Sequence, residues 1–260
     1  MKEVTPEECK KIQLDILINV SKFCEKHDIK YSIAYGTLIG AIRHKGFIPW
    51  DDDIDIIMMR DEYERFVATY KDDYYQLFDG LGLANHLHAV VSDMSTRIIS
   101  QHSGNTNYFY KGGLYVDIFP VDSTSDKMIC YKFHKRMIYY IYKWYALSLY
   151  IKRKDIVAKI LHFMFKPFSH LIGSMVRKLM LVYNHKDTGT VSNYSLWYLN
   201  FPPFPKYFMD TYEYVEFEGH QFKAIKEYDK FLRGIYGDYM QLPPASERIP
   251  RHNYKTYWRD

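Results

Sequence analysis

YSIAYGTLIGAIRHKGFIPWDDDIDIIMM, residues 31–59, places four aspartates, Asp51, Asp52, Asp53 and Asp55, within five positions and encloses them in apolar sequence. Acidic tails and solvated acidic faces lack large apolar residues on both sides. Here Phe47 and Ile48 lead in through Pro49 and Trp50, and Ile54, Ile56, Ile57 and Met58 follow. The stretch from Asp53 therefore predicts a short β-strand carrying carboxylates. Side-chain alternation sets Asp53 and Asp55 on one face and Ile54 and Ile56 on the other. Two carboxylates about 4 Å apart repel by roughly 4 kcal/mol at an effective dielectric near 20. A divalent cation removes that penalty, and Mg²⁺ or Mn²⁺ suits carboxylate and phosphate oxygens. In the competing reading the aspartates form an Asx-type turn that caps the next helix, with Asp51 or Asp52 as turn residues. Asp61 is the better cap, because Tyr63, Phe66, Val67 and Tyr70 follow it at helical spacing.

Upstream of the aspartates, residues 31–35 predict a strand, Gly36 and Thr37 break it, and residues 38–43 predict a short helix. A strand, a glycine turn and a helix start together expose backbone N–H groups to an anion, a phosphate-binding geometry. Arg43, His44 and Lys45 come next, either as a solvated basic loop or as a phosphate clamp opposite the acids. Further upstream, residues 5–27 predict an amphipathic helix with Thr5 as cap, Pro6 in the first turn and Glu8 as capping-box partner. Its buried stripe is expected at Ile12, Ile16, Val20 and Phe23.

Residues 83–122 are β-rich, and in GLYVDIFPVD, residues 113–122, Asp117 stands between Val116 and Ile118 in a strand expected to end at Pro120. A buried carboxylate there needs a partner or a cation. Beside Asp53 and Asp55 it would complete a two-metal site of the kind used in phosphoryl transfer; otherwise backbone amides satisfy it.

The 260 residues suffice for one large domain, or a core with a subdomain. Three cysteines without a CxxC pair suggest neither a disulfide framework nor a thiolate zinc site. The N-terminus, MKEVTPEECKK, is acidic and polar where a secretory signal is apolar, which predicts a cytoplasmic protein. Residues 127–186 carry thirteen Lys and Arg against one acid, Asp155, a net +12, whereas the remaining residues carry 22 basic against 30 acidic side chains. This stretch reads as a basic helical subdomain, with an interfacial helix at an anionic membrane surface as the alternative. No recognised motif supports nucleic acid as a partner. Toward the end, residues 212–224 predict a hairpin turning at Gly219, residues 226–236 a helix stopped by Gly237, and residues 238–260 a tail poor in secondary structure. The domain expectation is therefore a core over 1–126, a basic helical subdomain over 127–190 and a C-terminal segment over 191–260.

Three runs, YGTLIGAIRHKGFIPWDDDIDIIMMRDEYERF at 35–66, GLYVDIFPVD at 113–122 and YGDYMQLPPASERIPRH at 236–252, resemble the LicD family of phosphotransferases, which includes phosphocholine transferases and is related to fukutin-type sugar-phosphate transferases. The resemblance implies an α/β (α+β) nucleotidyltransferase-like fold, a small mixed sheet flanked by helices, with the basic helices as an insertion. It implies a catalytic and metal-binding set of Asp53, Asp55 and Asp117, with Asp51 as a further metal ligand. Gly36 and Thr37 would cradle phosphate, with Arg43, His44, Lys45, Trp50, Arg97 and His252 as substrate contacts. The implied reaction moves a phospho-alcohol from a CDP-alcohol, CDP-choline being favoured, to a glycan or lipid-linked glycan hydroxyl. Many members carry a lysine where this chain has Val90, so Arg97 or Lys45 would supply that charge here. Two other readings remain: a nucleotidyltransferase that makes a CDP-alcohol from CTP, and a non-catalytic glycan- or membrane-binding relative.

Overall fold

A computed structural model describes residues 1–79, 87–100, 112–149, 156–186, 188–196, 201–250 and 254–259. The chain divides into two compact units, residues 1–120 with 207–260, and residues 121–206.

The first unit begins with α1 (Pro6–Lys26), whose capping box forms as the sequence predicts. Thr5 N–H donates to Glu8 Oε2 at 2.8 Å, and Glu8 N–H donates to Thr5 Oγ1 at 3.2 Å. The buried face is Gln13, Ile16, Leu17, Val20, Ser21 and Cys24, so the stripe is rotated from the expected one and Ile12 and Phe23 are half-buried. A short strand β1 (Ser32–Ile33) leads into α2 (Tyr35–His44), then come β2 (Asp55–Met59) and α3 (Arg60–Thr69). The first helix turn therefore already contains Gly36 and Thr37, and the break falls at Tyr35, whose φ of 49° lies in the left-handed region. Asp61 is not the cap of α3: Met59 holds that position, and Asp61 lies in the first turn, where its charge complements the helix dipole.

Next come β3 (Tyr75–Phe78), β4 (Ala89–Asp93), β5 (Thr96–Ser100) and β6 (Tyr115–Ser123). The sheet order in this unit is β1-β2-β6-β4-β3, an α/β arrangement with helices against the sheet, as expected. Ile54, Ile56, Ile57 and Met58 are all completely buried, so both faces of β2 are covered. The strand itself starts at Asp55, and Asp51–Ile54 precede it as irregular chain. Pro120 does not end β6, because the strand changes partners around it. Residues up to Ile118 pair with β4 and Asp122 and Ser123 pair elsewhere, so the missing N–H of proline interrupts no pairing in these two ladders.

Strands β9 (Tyr212–Phe217) and β10 (His220–Ile225) form the predicted hairpin, with positive φ at Glu218 and Gly219. Ile225 N–H donates to the buried Ser32 Oγ at 2.9 Å, which ties the hairpin to β1. Helix α7 (Tyr228–Tyr236) stops at Gly237 in the left-handed region, as expected. The tail does not fray: β11 (Tyr254–Trp258) pairs with β5, and Trp258 N–H donates to Lys2 O at 2.9 Å. Thr256 of this strand is buried and hydrogen-bonds to Cys9 of α1, which anchors the tail.

The second unit contains the end of β6, β7 (Thr190–Ser192), β8 (Phe204–Pro205), and three helices, α4 (Met128–Leu149), α5 (Ile156–Phe165) and α6 (Ser169–Met180). Helix α4 packs on α5 and α6. His134 of α4 lies at the centre of a buried polar chain. Its Nε2 donates to Leu179 O at 2.7 Å, so its Nδ1 accepts from Tyr194 Oη at 3.0 Å, and Tyr194 Oη in turn accepts from Thr124 Oγ1 at 2.6 Å. Among the described residues no helix is long and apolar enough to cross a membrane.

Candidate active site

The start of α2, the acidic turn and the middle of β6 are joined through the backbone. Thr37 Oγ1 accepts from Asp55 N–H at 2.9 Å within the core, and Asp55 O accepts from Ala34 N–H at 2.9 Å. A side chain at Gly36 would meet the Asp51 carboxylate, which would have to shift aside to admit it. Asp117 N–H donates to Ile54 O at 2.9 Å. The third acid is therefore anchored to the residue between Asp53 and Asp55.

Helix α1 holds the turn from its other side. Lys10 Nζ donates to Pro49 O at 3.2 Å, and the buried Gln13 Nε2 donates to Asp52 O at 3.0 Å. So pinned, Asp51, Asp52 and Asp53 bring one carboxylate oxygen each within 4.8 Å of one another. At that spacing and an effective dielectric near 20, each pair of charges repels by roughly 3 kcal/mol. An all-carboxylate donor set of this kind fits a hard divalent cation. The turn is thus more than the Asx cap of the competing reading, since α3 is not capped by any of these side chains.

Two side chains that sequence reasoning missed face these acids. His88 Nε2 donates to Asp117 Oδ1 at 2.7 Å, both groups being buried, which fixes the orientation of that carboxylate. Tyr254 of β11 reaches the acids from the tail. Burial first, then the charges of Asp52, Asp53 and Asp117, push its phenol well above the ordinary range, so it stays an O–H donor. Gln13 was missed too, because the expected stripe ran through Ile12 and the buried face is rotated onto its neighbour. No spacing rule marks a histidine just ahead of a buried strand or one tyrosine among 26.

A cationic group forms at the other end of α2. Arg43 Nη1 donates to Tyr239 O at 2.6 Å and its Nε to His44 Nε2 at 2.9 Å, leaving that imidazole neutral. Burial, then the Arg43 charge, hold His44 below its usual range. Arg248 lies 5.5 Å from the Trp50 ring centre, and its charge, after burial, depresses the Arg43 guanidinium. His44 meets the same indole edge-on at 6.5 Å. Arg248 belongs to the matching run at 236–252 but was not singled out by sequence. Lys45 is the left-handed, exposed cap of α2, held because Glu218 N–H donates to its carbonyl at 2.8 Å. Arg97 is exposed on β5 opposite Tyr257, and Val90 lies directly across from Asp117. His252 falls outside the described residues.

An acidic turn leading into a strand beside a helix start, with a further acid on the neighbouring strand, is the arrangement expected of a nucleotidyltransferase-like domain. The family model described as "LicD/FKTN/FKRP, nucleotidyltransferase domain" matches residues 28–153. The chain is 33% identical over 266 residues, covering 99% of both proteins, to the lipopolysaccharide cholinephosphotransferase LicD of Haemophilus influenzae. An uncharacterised protein of Rickettsia typhi is 47% identical over 55 residues, 20% of this chain and 18% of that protein. The chain belongs to the LicD family.

Proposed function

We propose that this protein is a phosphotransferase that moves phosphocholine from CDP-choline to a hydroxyl of lipopolysaccharide or its lipid-linked precursor, releasing CMP, on the cytoplasmic side of the cell membrane. The hydroxyl oxygen forms a bond to the β-phosphorus, the bond to the bridging oxygen breaks, CMP leaves with that oxygen, and the hydroxyl proton passes to a base. The observation that carries the reading is the backbone linkage of the acidic turn to Asp55, to Asp117 and to the start of α2. Full-length identity to a cholinephosphotransferase supports it.

Mg²⁺, held by the clustered Asp51, Asp52 and Asp53, with Asp55 and Asp117 tied to the turn through backbone hydrogen bonds, would neutralise the diphosphate charge and the charge that develops on the leaving oxygen. The protein's own groups do the rest. The first amides of α2, at Gly36 and Thr37, offer N–H donors to phosphate. Arg43 and Arg248 supply paired guanidinium charge, and Trp50 a flat face for cytosine or a cage wall for the quaternary ammonium, an attraction of about 0.5–2 kcal/mol. Asp117, oriented by its hydrogen bond with His88, would take the acceptor proton, and Lys45 and Arg97 would give further positive charge to the approaching donor.

Calorimetric titration of CDP-choline, CDP-glycerol, CDP-ribitol and CTP, each with Mg²⁺ and with EDTA, tests the donor assignment. Metal-dependent preference for CDP-choline, followed by CMP release when lipopolysaccharide is added, is the expected result. Preference for CTP with pyrophosphate release would assign the protein to CDP-alcohol synthesis, and no nucleotide binding at all would leave only a non-catalytic role.

A further inference from the structure

The helical unit holds the chain's excess positive charge and, on its outside, large apolar side chains. Along α4 the inward stripe is Tyr131, His134, Ile138, Tyr142 and Tyr145, all buried. The opposite stripe is apolar as well: Ile129, Phe133, Tyr140 and Trp144 recur at helical spacing and are 83%, 70%, 56% and 57% exposed. Helix α6 repeats the pattern, with Ile172, Val176 and Met180 inward, and Leu171 and Met175 outward ahead of Lys178. In α5, Phe163 and Met164 face solvent, and Trp144 lies 5.1 Å from the Phe165 ring, so the outward stripe of α4 runs on into α5.

Isolated exposed apolar residues are ordinary, but a contiguous outward stripe along one helix marks an interaction surface. The inward side of α4 meets α6 through His134 and Tyr145, so Leu171 and Met175 lie on the far side of α6 and do not extend the α4 stripe. The charges around that stripe choose the occupant. Lys132, Arg136 and Lys143 flank it, and the whole 127–186 stretch contains one acid. A second copy presenting the same face would set like charge against like. A nucleic acid would neutralise the charge but leave outward Ile, Phe and Trp in water. Apolar side chains among lysines and arginines match the boundary between acyl chains and anionic headgroups.

We infer that the outward stripe of α4 docks on an anionic lipid surface, the helix lying along the interface with Ile129, Phe133, Tyr140 and Trp144 inserted and the flanking Lys132, Arg136 and Lys143 on lipid phosphates. The inference concerns the helical unit and is independent of which donor the acidic site takes.

Flotation of the full-length protein with vesicles tests it, using phosphatidylcholine alone and phosphatidylcholine mixed with phosphatidylglycerol. The expected result is flotation with the anionic vesicles that weakens as salt rises, and little with the neutral ones. The double variants Ile129→Ser with Phe133→Ser, and Lys132→Glu with Arg136→Glu, should each weaken it at least about tenfold. Both pairs are exposed, so thermal melts should match the unaltered protein, and if the apolar pair fails to fold, the charge pair decides alone. Equal flotation with neutral vesicles, insensitivity to the charge pair, a dimer by light scattering that the variants split, or DNA binding that the apolar pair leaves intact would each overturn the assignment.

Discussion

The acidic turn and the helical unit handle polar groups in opposite ways. In the helical unit Thr124, Tyr194, His134 and the Leu179 carbonyl form a closed chain of neutral hydrogen bonds, and the cations lie outside it. At the acidic turn, carboxylates are held together by their own backbone while their charges stay in mutual repulsion. A closed neutral network stabilises the fold, whereas like charges brought close together favour a cation among them. Polar side chains therefore mark architecture where they are buried in the helical unit, and a candidate site where they are half-buried in the acidic turn.

Asp53→Asn should break that contrast most sharply. Phosphocholine transfer is expected to fall at least about a hundredfold, because charge stabilisation supplies most of phosphoryl-transfer catalysis. The fold should survive, and with one repulsive charge removed the melting temperature should hold or rise. Turnover and melting measured on the same preparation check both halves, and a variant that keeps most of its activity would remove Asp53 from the reacting centre.

The next contrast is between ligand and orienting partner. His88→Ala should lower turnover by roughly ten- to a hundredfold, the range found when the outer partner of a ligating group is lost. His88→Gln, whose amide can donate to Asp117, should recover part of it. A merely structural histidine would show no such rescue, and the divalent-ion concentration needed for half-maximal rate would not change. Tyr254→Phe removes a single O–H donor facing the acids, so a loss of about three- to tenfold in turnover at unchanged melting temperature is expected.

How much of this was legible in the sequence follows from which signals are local. The capping box at Thr5 and Glu8, the Gly219 hairpin and the Gly237 helix stop depend on residues within a few positions of each other, and all three formed as read. The acidic turn was legible because carboxylates inside apolar sequence are costly. Its partners were not: Gln13 lies in α1, His88 precedes β4, and Tyr254 sits near the other end of the chain, so only tertiary pairing brings them in. The docking of β11 on β5 was invisible for the same reason, since a strand made by long-range pairing leaves little mark on a basic, aromatic tail. Register misled as well. Alternation began the strand at Asp53, but the chain straightens only at Asp55, where the hydrogen bond to Thr37 Oγ1 begins.

The smallest expected effect lies in the helical unit and concerns pH. Burial, the leading cause, holds His134 below its usual range, since the imidazole must stay neutral to accept from Tyr194 while donating to Leu179. In the unfolded chain the same histidine takes up a proton near pH 6.5. Between that value and its lower folded value the unfolded state binds more protons, so stability rises with pH across the window. The contribution is complete above about pH 6.5 and is lost as acid reaches the folded value. His134→Phe should cost about 1–3 kcal/mol at neutral pH, by stranding the Leu179 carbonyl and the Tyr194 hydroxyl. Because carboxylates also titrate in acid, the difference between the unaltered protein and the variant isolates the histidine. Urea unfolding of both proteins near pH 8 and near pH 5.5 should show that difference shrinking at the lower pH. A difference that stays constant would mean that His134 keeps its proton balance on unfolding, and that the chain from Thr124 to Leu179 tolerates the imidazolium.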